Sequence, residues 1–236
     1  MDESRWKSTE PAGWAEGVAR RDATGVLEWA SERFGDGLAV STSFGIHSAA
    51  ILHLVTAVRA DTKVIWVDTG YLPTETYRYA DELTQQLGLD LHVAQSPLSP
   101  ARMEASYGKL WEKGDVASLD LYDRIRKVEP MKNALAELDV RAWIAGLRAE
   151  QTDHRRSLPA VGTQWGRTKI LPILGWSSEQ VHDYLRHNNL PFHPLHEQGY
   201  TTVGDWHSSR PANATDGHER ETRFGGLKQE CGLHLP

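Results

Sequence analysis

The only cysteine of this 236-residue chain, Cys231, sits five residues from its end in the string Lys228-Gln229-Glu230-Cys231-Gly232-Leu233-His234. A cysteine kept for packing behaves as a small buried apolar residue, so a thiol among charged and small side chains on a terminus is better placed to react than to pack. His234, three residues on, is placed to contact the same ligand or to raise the thiolate fraction. Glu230 acts in the opposite sense. The competing reading is an incidental surface cysteine, because a lone thiol without an identified activating partner is weak evidence by itself.

Other segments carry groups suited to holding an anion. Ser41-Thr42-Ser43-Phe44-Gly45-Ile46-His47-Ser48 is a small-residue turn entering a helix, where Ser41, Ser43, Phe44, Gly45 and Ser48 offer hydroxyls and backbone N–H groups to a phosphate or sulfate. It lacks both the Gly-Lys-Ser/Thr of a Walker A loop and the GxGxxG fingerprint, so an ordinary strand-to-helix turn explains it equally well. Asp68, Thr69 and Gly70 close a second apolar run. Arg148, Gln151, Arg155 and Arg156 crowd one short segment, and three arginines there are better explained by bidentate anion binding than by solvated charge. Lys127 adds a cation that a surface helix end would also explain. Arg220 and Arg223 add two more, although their acidic neighbours Glu219 and Glu221 also fit a solvated helical turn. His193 and His196 lie in a proline-containing loop with no HExxH or Cys/His spacing, so no metal site is expected.

These groups need a frame. Short β-rich runs at 38–41, 63–68, 91–95, 142–147 and 170–174 alternate with helical spacing at 48–58, 74–87, 131–138 and 178–187, with Thr74 and Ser178 as N-caps. A further helix over 25–33 precedes them. Such alternation predicts an α/β fold with a mainly parallel sheet flanked by helices, in which ligands bind outside the carboxyl ends of the strands. After residue 199 periodicity is lost. Residues 1–199 are therefore read as one α/β domain and 200–236 as an irregular tail lying over it.

Composition narrows the function further. A net charge of -6 argues against a protein-wide nucleic-acid footprint, though a local basic cluster can still hold a small anion. No apolar run reaches membrane-spanning length, and Met1-Asp2-Glu3-Ser4-Arg5-Trp6 lacks the basic and apolar regions of a secretory leader, which predicts a cytoplasmic protein with a reduced thiol. One cysteine excludes a four-cysteine zinc or iron-sulfur site within one chain.

With these residues in view, the chain closely resembles the phosphoadenylyl-sulfate (PAPS) reductases, thioredoxin-dependent members of the sulfonucleotide reductase family. The resemblance runs through the 41–48 loop, Val67-Asp68-Thr69-Gly70, Arg126-Lys127-Val128-Glu129-Pro130-Met131, Gly146-Leu147-Arg148-Ala149-Glu150-Gln151 and 199–205. Its most specific part is Glu221-Thr222-Arg223-Phe224 through Glu230-Cys231-Gly232-Leu233-His234. It implies an adenine-nucleotide α-hydrolase-like, PP-loop-related fold in which the 41–48 loop and Asp68 to Gly70 hold the adenosine and nearby phosphate. Lys127, Arg148, one or both of Arg155 and Arg156, Arg220, Arg223 and His234 would bind substrate, Cys231 and His234 being catalytic. Phe44 and His47 stand where ATP-using relatives have Gly and Asp. Tyr122, Asp123, Asp205 and Ser208 stand where cluster-binding relatives have cysteines, so no iron-sulfur cluster is implied. The implied electron donor is thioredoxin or a glutaredoxin, and the implied assembly a homodimer. A cluster-free adenylyl-sulfate reductase, an ATP-using PP-loop enzyme and a nucleotide-binding redox sensor are the alternatives.

Overall fold

Strict alternation of buried side chains along the inner strands gives the sheet two covered faces. In the computed structural model, which describes residues 17, 18, 20–214, 216, 219–228 and 230–234, the strands are β1 (Leu38–Thr42), β2 (Lys63–Asp68), β3 (Asp90–Gln95), β4 (Ala142–Ala145), β5 (Val161–Gln164) and β6 (Arg167–Ile170). Met1 to Trp6, read above for the absence of a leader, and Gln229 beside the cysteine lie outside these residues. Leu38, Val40, Val64, Trp66, Ala142 and Ile144 enter one core, while Ala39, Ile65, Val67, Trp143 and Ala145 enter the other. This period of two places successive side chains on opposite faces of a doubly covered sheet.

The strand order is β3-β2-β1-β4-β6-β5, all parallel except the β5 edge, which runs antiparallel to β6. Val40 is paired with Val64 on one side and Ile144 on the other. The chain therefore leaves β1 in one direction and returns on its other flank at β4. That reversal opens a crevice at the carboxyl ends of β1 and β4, the place where open α/β sheets take ligands.

The helices are α1 (Ala23–Phe34), α2 (Ser48–Val58), α3 (Thr74–Leu87), α4 (Pro100–Tyr107), α5 (Val116–Asp123), α6 (Glu129–Glu137), α7 (Asp153–Arg156) and α8 (Ser178–His187). The expected caps move back by one residue. Pro73 precedes α3, and Ser177, in a reciprocal box with Gln180, caps α8. Between α5 and α6 the chain makes one π turn, Arg124–Val128, in which the Glu129 N–H donates to the Arg124 carbonyl. Pro130 explains it: a proline here supplies no N–H to the Arg126 carbonyl and would crowd it, and widening the turn relieves both. The run expected at 170–174 is not a strand. Pro172 cannot donate to a ladder, and pairing is carried by 167–170 instead. Among the described residues no helix is long and apolar enough to cross a membrane.

Candidate active site

A cleft of about 1180 Å³, counted with the solvent at its mouth, opens at this switch point. The β1 loop forms one wall, Ala145 to Leu147 after β4 another, and the tail segment Thr201 to Asp205 crosses over them. Cys231 and His234 face into it from the last described residues.

The β1 loop turns one side chain, Phe44, away from the cleft. Phe44 adopts a left-handed φ of 47° and buries its ring edge-on against Trp66 at 5.0 Å, while its N–H is taken by Thr42 Oγ1 at 3.0 Å. Ser41, Ser43, Gly45 and Ser48 line the cleft, and Phe44 belongs to the core. His47 also lines the cleft, accepting at Nδ1 from Arg148 Nη2 at 3.0 Å. Burial, reinforced by Arg148, pushes its pKa down to about 2, so it is a neutral imidazole.

Of Asp68, Thr69 and Gly70, Thr69 lines the cleft, next to Val67 of β2. The Asp68 carboxylate accepts from Gly70 N (2.8 Å), Tyr77 Oη (2.7 Å) and Gln95 Nε2 (2.6 Å), which consumes it in holding the loop. Gly70, at φ 74°, sits against Pro100 and Arg126. Asp68 and Gly70 are thus placed as supports, away from the cleft surface.

The arginines separate cleanly. Arg148 is fully buried and ties the β4 loop to Ser178 Oγ (2.9 Å), Glu150 and His47. Arg155 lines the cleft, whereas Arg156 is exposed and pairs with Asp153 at 2.6 Å. Arg155 forms a two-pronged pair with Glu230, Nε to Oε1 and Nη2 to Oε2 each at 2.8 Å, and Thr152 Oγ1 donates to the same carboxylate at 2.7 Å. Glu230 is therefore neutralised beside the thiol instead of opposing it as an isolated charge. Arg220 lies near it, Nε to Oε2 at 3.9 Å; burial, with Arg155 adding, pushes its pKa down to about 10, still protonated at neutral pH. Arg223 donates to Ser209 Oγ (2.7 Å) and Ser208 Oγ (3.1 Å), and its buried Nε has no hydrogen-bond partner. Gly204 makes room for it, since a Cβ there would overlap the guanidinium.

Lys127 projects from the π turn between Asp123 (3.0 Å) and Asp205 (2.9 Å), its Nζ over the rings of Tyr122 and Phe224 at 5.1 and 5.2 Å. Burial alone would lower its pKa, but Asp123 and Asp205, with Cys231 adding, hold it above the usual lysine range. Asp123 also takes Lys228 Nζ at 2.7 Å and Gly232 N at 3.3 Å, so one buried carboxylate fixes both the lysine and the cysteine segment. Asp123 and Asp205 thus pair with Lys127 beside the Tyr122 ring, Ser208 meets the Asp205 carbonyl and Arg223, and among the described residues no group of three or more His, Cys, Asp and Glu is placed to hold a metal. The roles of Asp123 and of the π turn were not visible in sequence, and Lys169, whose Nζ lies 3.0 Å from His234 Nδ1, carried no signal at all.

The cleft can thus bind a small polyanion and set one nucleophile against it. Comparison with known proteins gives the family. The family model described as the phosphoadenosine phosphosulfate reductase domain matches residues 37–211. A protein of that name from Synechocystis sp. is 60% identical over 211 residues, covering 89% of this chain and 85% of its own. One from Vibrio cholerae is 50% identical, covering 87% and 81%. The crystal structure of the phosphoadenylyl-sulfate (PAPS) reductase from Candida auris, a phosphate complex, superposes with a TM-score of 0.74 at 28% identity over 86% of this chain and 100% of that one. Yeast FAD synthetase, at 16% identity and a TM-score of 0.55 over 84% of this chain and 67% of that one, shares the fold alone. The chain belongs to the phosphoadenosine phosphosulfate reductase family, and it is an oxidoreductase.

Proposed function

We propose that this enzyme reduces 3′-phosphoadenylyl sulfate to sulfite and adenosine 3′,5′-bisphosphate in assimilatory sulfate reduction, through an S-sulfocysteine on Cys231 and with thioredoxin or a glutaredoxin as reductant. The observation that carries this is a single thiol in a cleft lined by Lys127, Arg155, Arg220 and Arg223. The Cys231 thiolate attacks the sulfonate sulfur; the Sγ–S bond forms, the sulfur–oxygen bond to phosphate breaks, and the nucleotide leaves with the electron pair. The cations offset charge on the departing phosphate, and preorganised charges of this kind act most strongly where water is excluded. His234, neutral because burial and the neighbouring Lys169 and Arg155 keep its pKa well below the usual range, can donate a hydrogen bond without adding charge.

Sulfite release needs a second thiol. The chain has one cysteine, so a donor dithiol must attack the Cys231 sulfur, expel sulfite, and close its own disulfide, supplying the two electrons. The same cysteine count supports a cluster-free enzyme. A cytoplasmic homodimer completes the reading taken from the family.

Mixing reduced enzyme with 3′-phosphoadenylyl sulfate and no dithiol should leave a sulfonate on Cys231 in intact-protein mass spectra. Cys231→Ser should carry no adduct and release no sulfite. Sulfite production by Cys231→Ser sinks the nucleophile assignment, and a higher kcat/KM for adenylyl sulfate than for its 3′-phosphorylated form overturns the substrate.

A further inference from the structure

Lys169 on β6 comes from no strand-end loop, yet it is buried to 0% exposure under the tail. Its Nζ lies 3.0 Å from His234 Nδ1, 3.2 Å from the Leu233 carbonyl oxygen and 2.8 Å from Gln164 Oε1. The Trp143 ring centroid is 4.3 Å away, and the His234 ring lies nearly parallel to that indole, 16° apart at 6.4 Å. The protonation of this amine decides the tautomer of the histidine. An ammonium can donate to the Leu233 carbonyl, Gln164 Oε1 and His234 Nδ1 together, and leaves Nδ1 bare. A neutral amine has two, and its lone pair would take a hydrogen from Nδ1. The indole face attracts a cation, and three converging acceptors match an ammonium.

We propose that Lys169 is a positioning residue, whose ammonium donates to His234 Nδ1 and the Leu233 carbonyl, seating the end of the cysteine segment on β6 and fixing the His234 hydrogen on Nε2. Other charged groups act on the same pair. Burial pulls the Lys169 pKa well below the usual lysine range; Cys231 and Glu230 oppose that shift and Arg155 adds to it. His154 on α7 meets the His234 carbonyl oxygen through Nε2 at 3.0 Å, tying down the same residue from the other side. The consequence for turnover rests on the proposed function: with its hydrogen on Nε2, His234 meets the substrate anion as a donor.

The test is two-bond ¹⁵N–¹H correlation on full-length protein labelled at histidine, with His234 assigned by its loss in His234→Ala. Wild type should show the Nε2–H tautomer. Lys169→Met, folded by its amide spectrum, should move His234 to Nδ1–H or a mixture, while Lys169→Gln, which keeps an N–H donor, should retain Nε2–H. With 3′-phosphoadenylyl sulfate and thioredoxin, Lys169→Met should lose kcat roughly tenfold to a hundredfold, the scale on which partners that orient a metal-bound histidine act. A wild-type hydrogen on Nδ1, or an unchanged tautomer in folded Lys169→Met, overturns the proposal. A tautomer that shifts as expected while Lys169→Met and His234→Ala turn over at the wild-type rate supports the positioning role and removes His234 from the reaction.

Discussion

At the scale of single residues, two adjacent arginines have opposite fates. Arg155 is buried in its pair with Glu230 and Arg156 is exposed. Removing one partner of a buried pair costs about 3–5 kcal/mol, enough to release the cysteine segment. Arg155→Ala should therefore lower sulfite production by about a hundredfold or more, while Arg156→Ala should stay within about 0.5 kcal/mol of wild-type stability and keep its turnover. Equal effects from the two would take Arg155 out of the site. Glu230 makes this pair sensitive to acid. Burial would raise its pKa, but Arg155 and Arg220, with hydrogen bonds from Arg155 and Thr152, bring it below the ordinary glutamate value of 4.5. A depressed folded pKa means the contribution is present above that ordinary value and lost as pH falls through the lower, folded one. The stability gap between wild type and Glu230→Gln should hold from neutrality to mildly acid pH and close below it; a gap that widens on acidification reverses the sign. Residue types were legible here and orientations were not. Phe44, Asp68 and Arg148 sit in the right loops, but each turns inward to hold its loop, which no spacing reveals.

At the scale of elements, the tail segment around Gly204 is positioned by what it lacks. Gly204 passes directly over the Arg223 guanidinium, and the short bridge between Ser209 and Arg223 fixes that approach. Gly204→Ala should displace Arg223 without unfolding the sheet and cut kcat/KM by about a hundredfold, the order expected for a misplacement of about 1 Å at a reacting centre. Normal kinetics with unchanged melting would show that Arg223 does not touch substrate. The four inner helices 48–58, 74–87, 131–138 and 178–187 were readable to within a residue or two, because long amphipathic stretches carry their period openly. The β5–β6 hairpin was not. Val161-Gly162-Thr163-Gln164 is too short to show alternation, and the apolar 170–174 run outweighed polar Arg167-Thr168-Lys169. The π turn is likewise silent in sequence except for Pro130.

At the scale of the whole molecule, the tail is held by charged and polar tethers: Glu230 to Arg155, Lys228 to Asp120 and Asp123, and the 233–234 end to Lys169. In the proposed function Cys231 faces the nucleotide first and a protein dithiol afterwards, which requires these tethers to open each cycle. Backbone amide exchange over 230–234 should slow when adenosine 3′,5′-bisphosphate is bound and quicken when it is removed; identical rates in both states count against the motion. The cleft brings the cations Lys127, Arg155, Arg220 and Arg223 together against the buried carboxylates Asp123, Asp205 and Glu230, inside a chain whose net charge is -6. Seen from afar the molecule is an anion; seen from within the crevice it is a cation. At physiological salt a charge is felt over only about 8 Å, so a long nucleic-acid strand meets mainly the repelling exterior. In the proposed function a slender mononucleotide enters the crevice and reaches the attracting centre, which makes access itself a filter between two classes of phosphate.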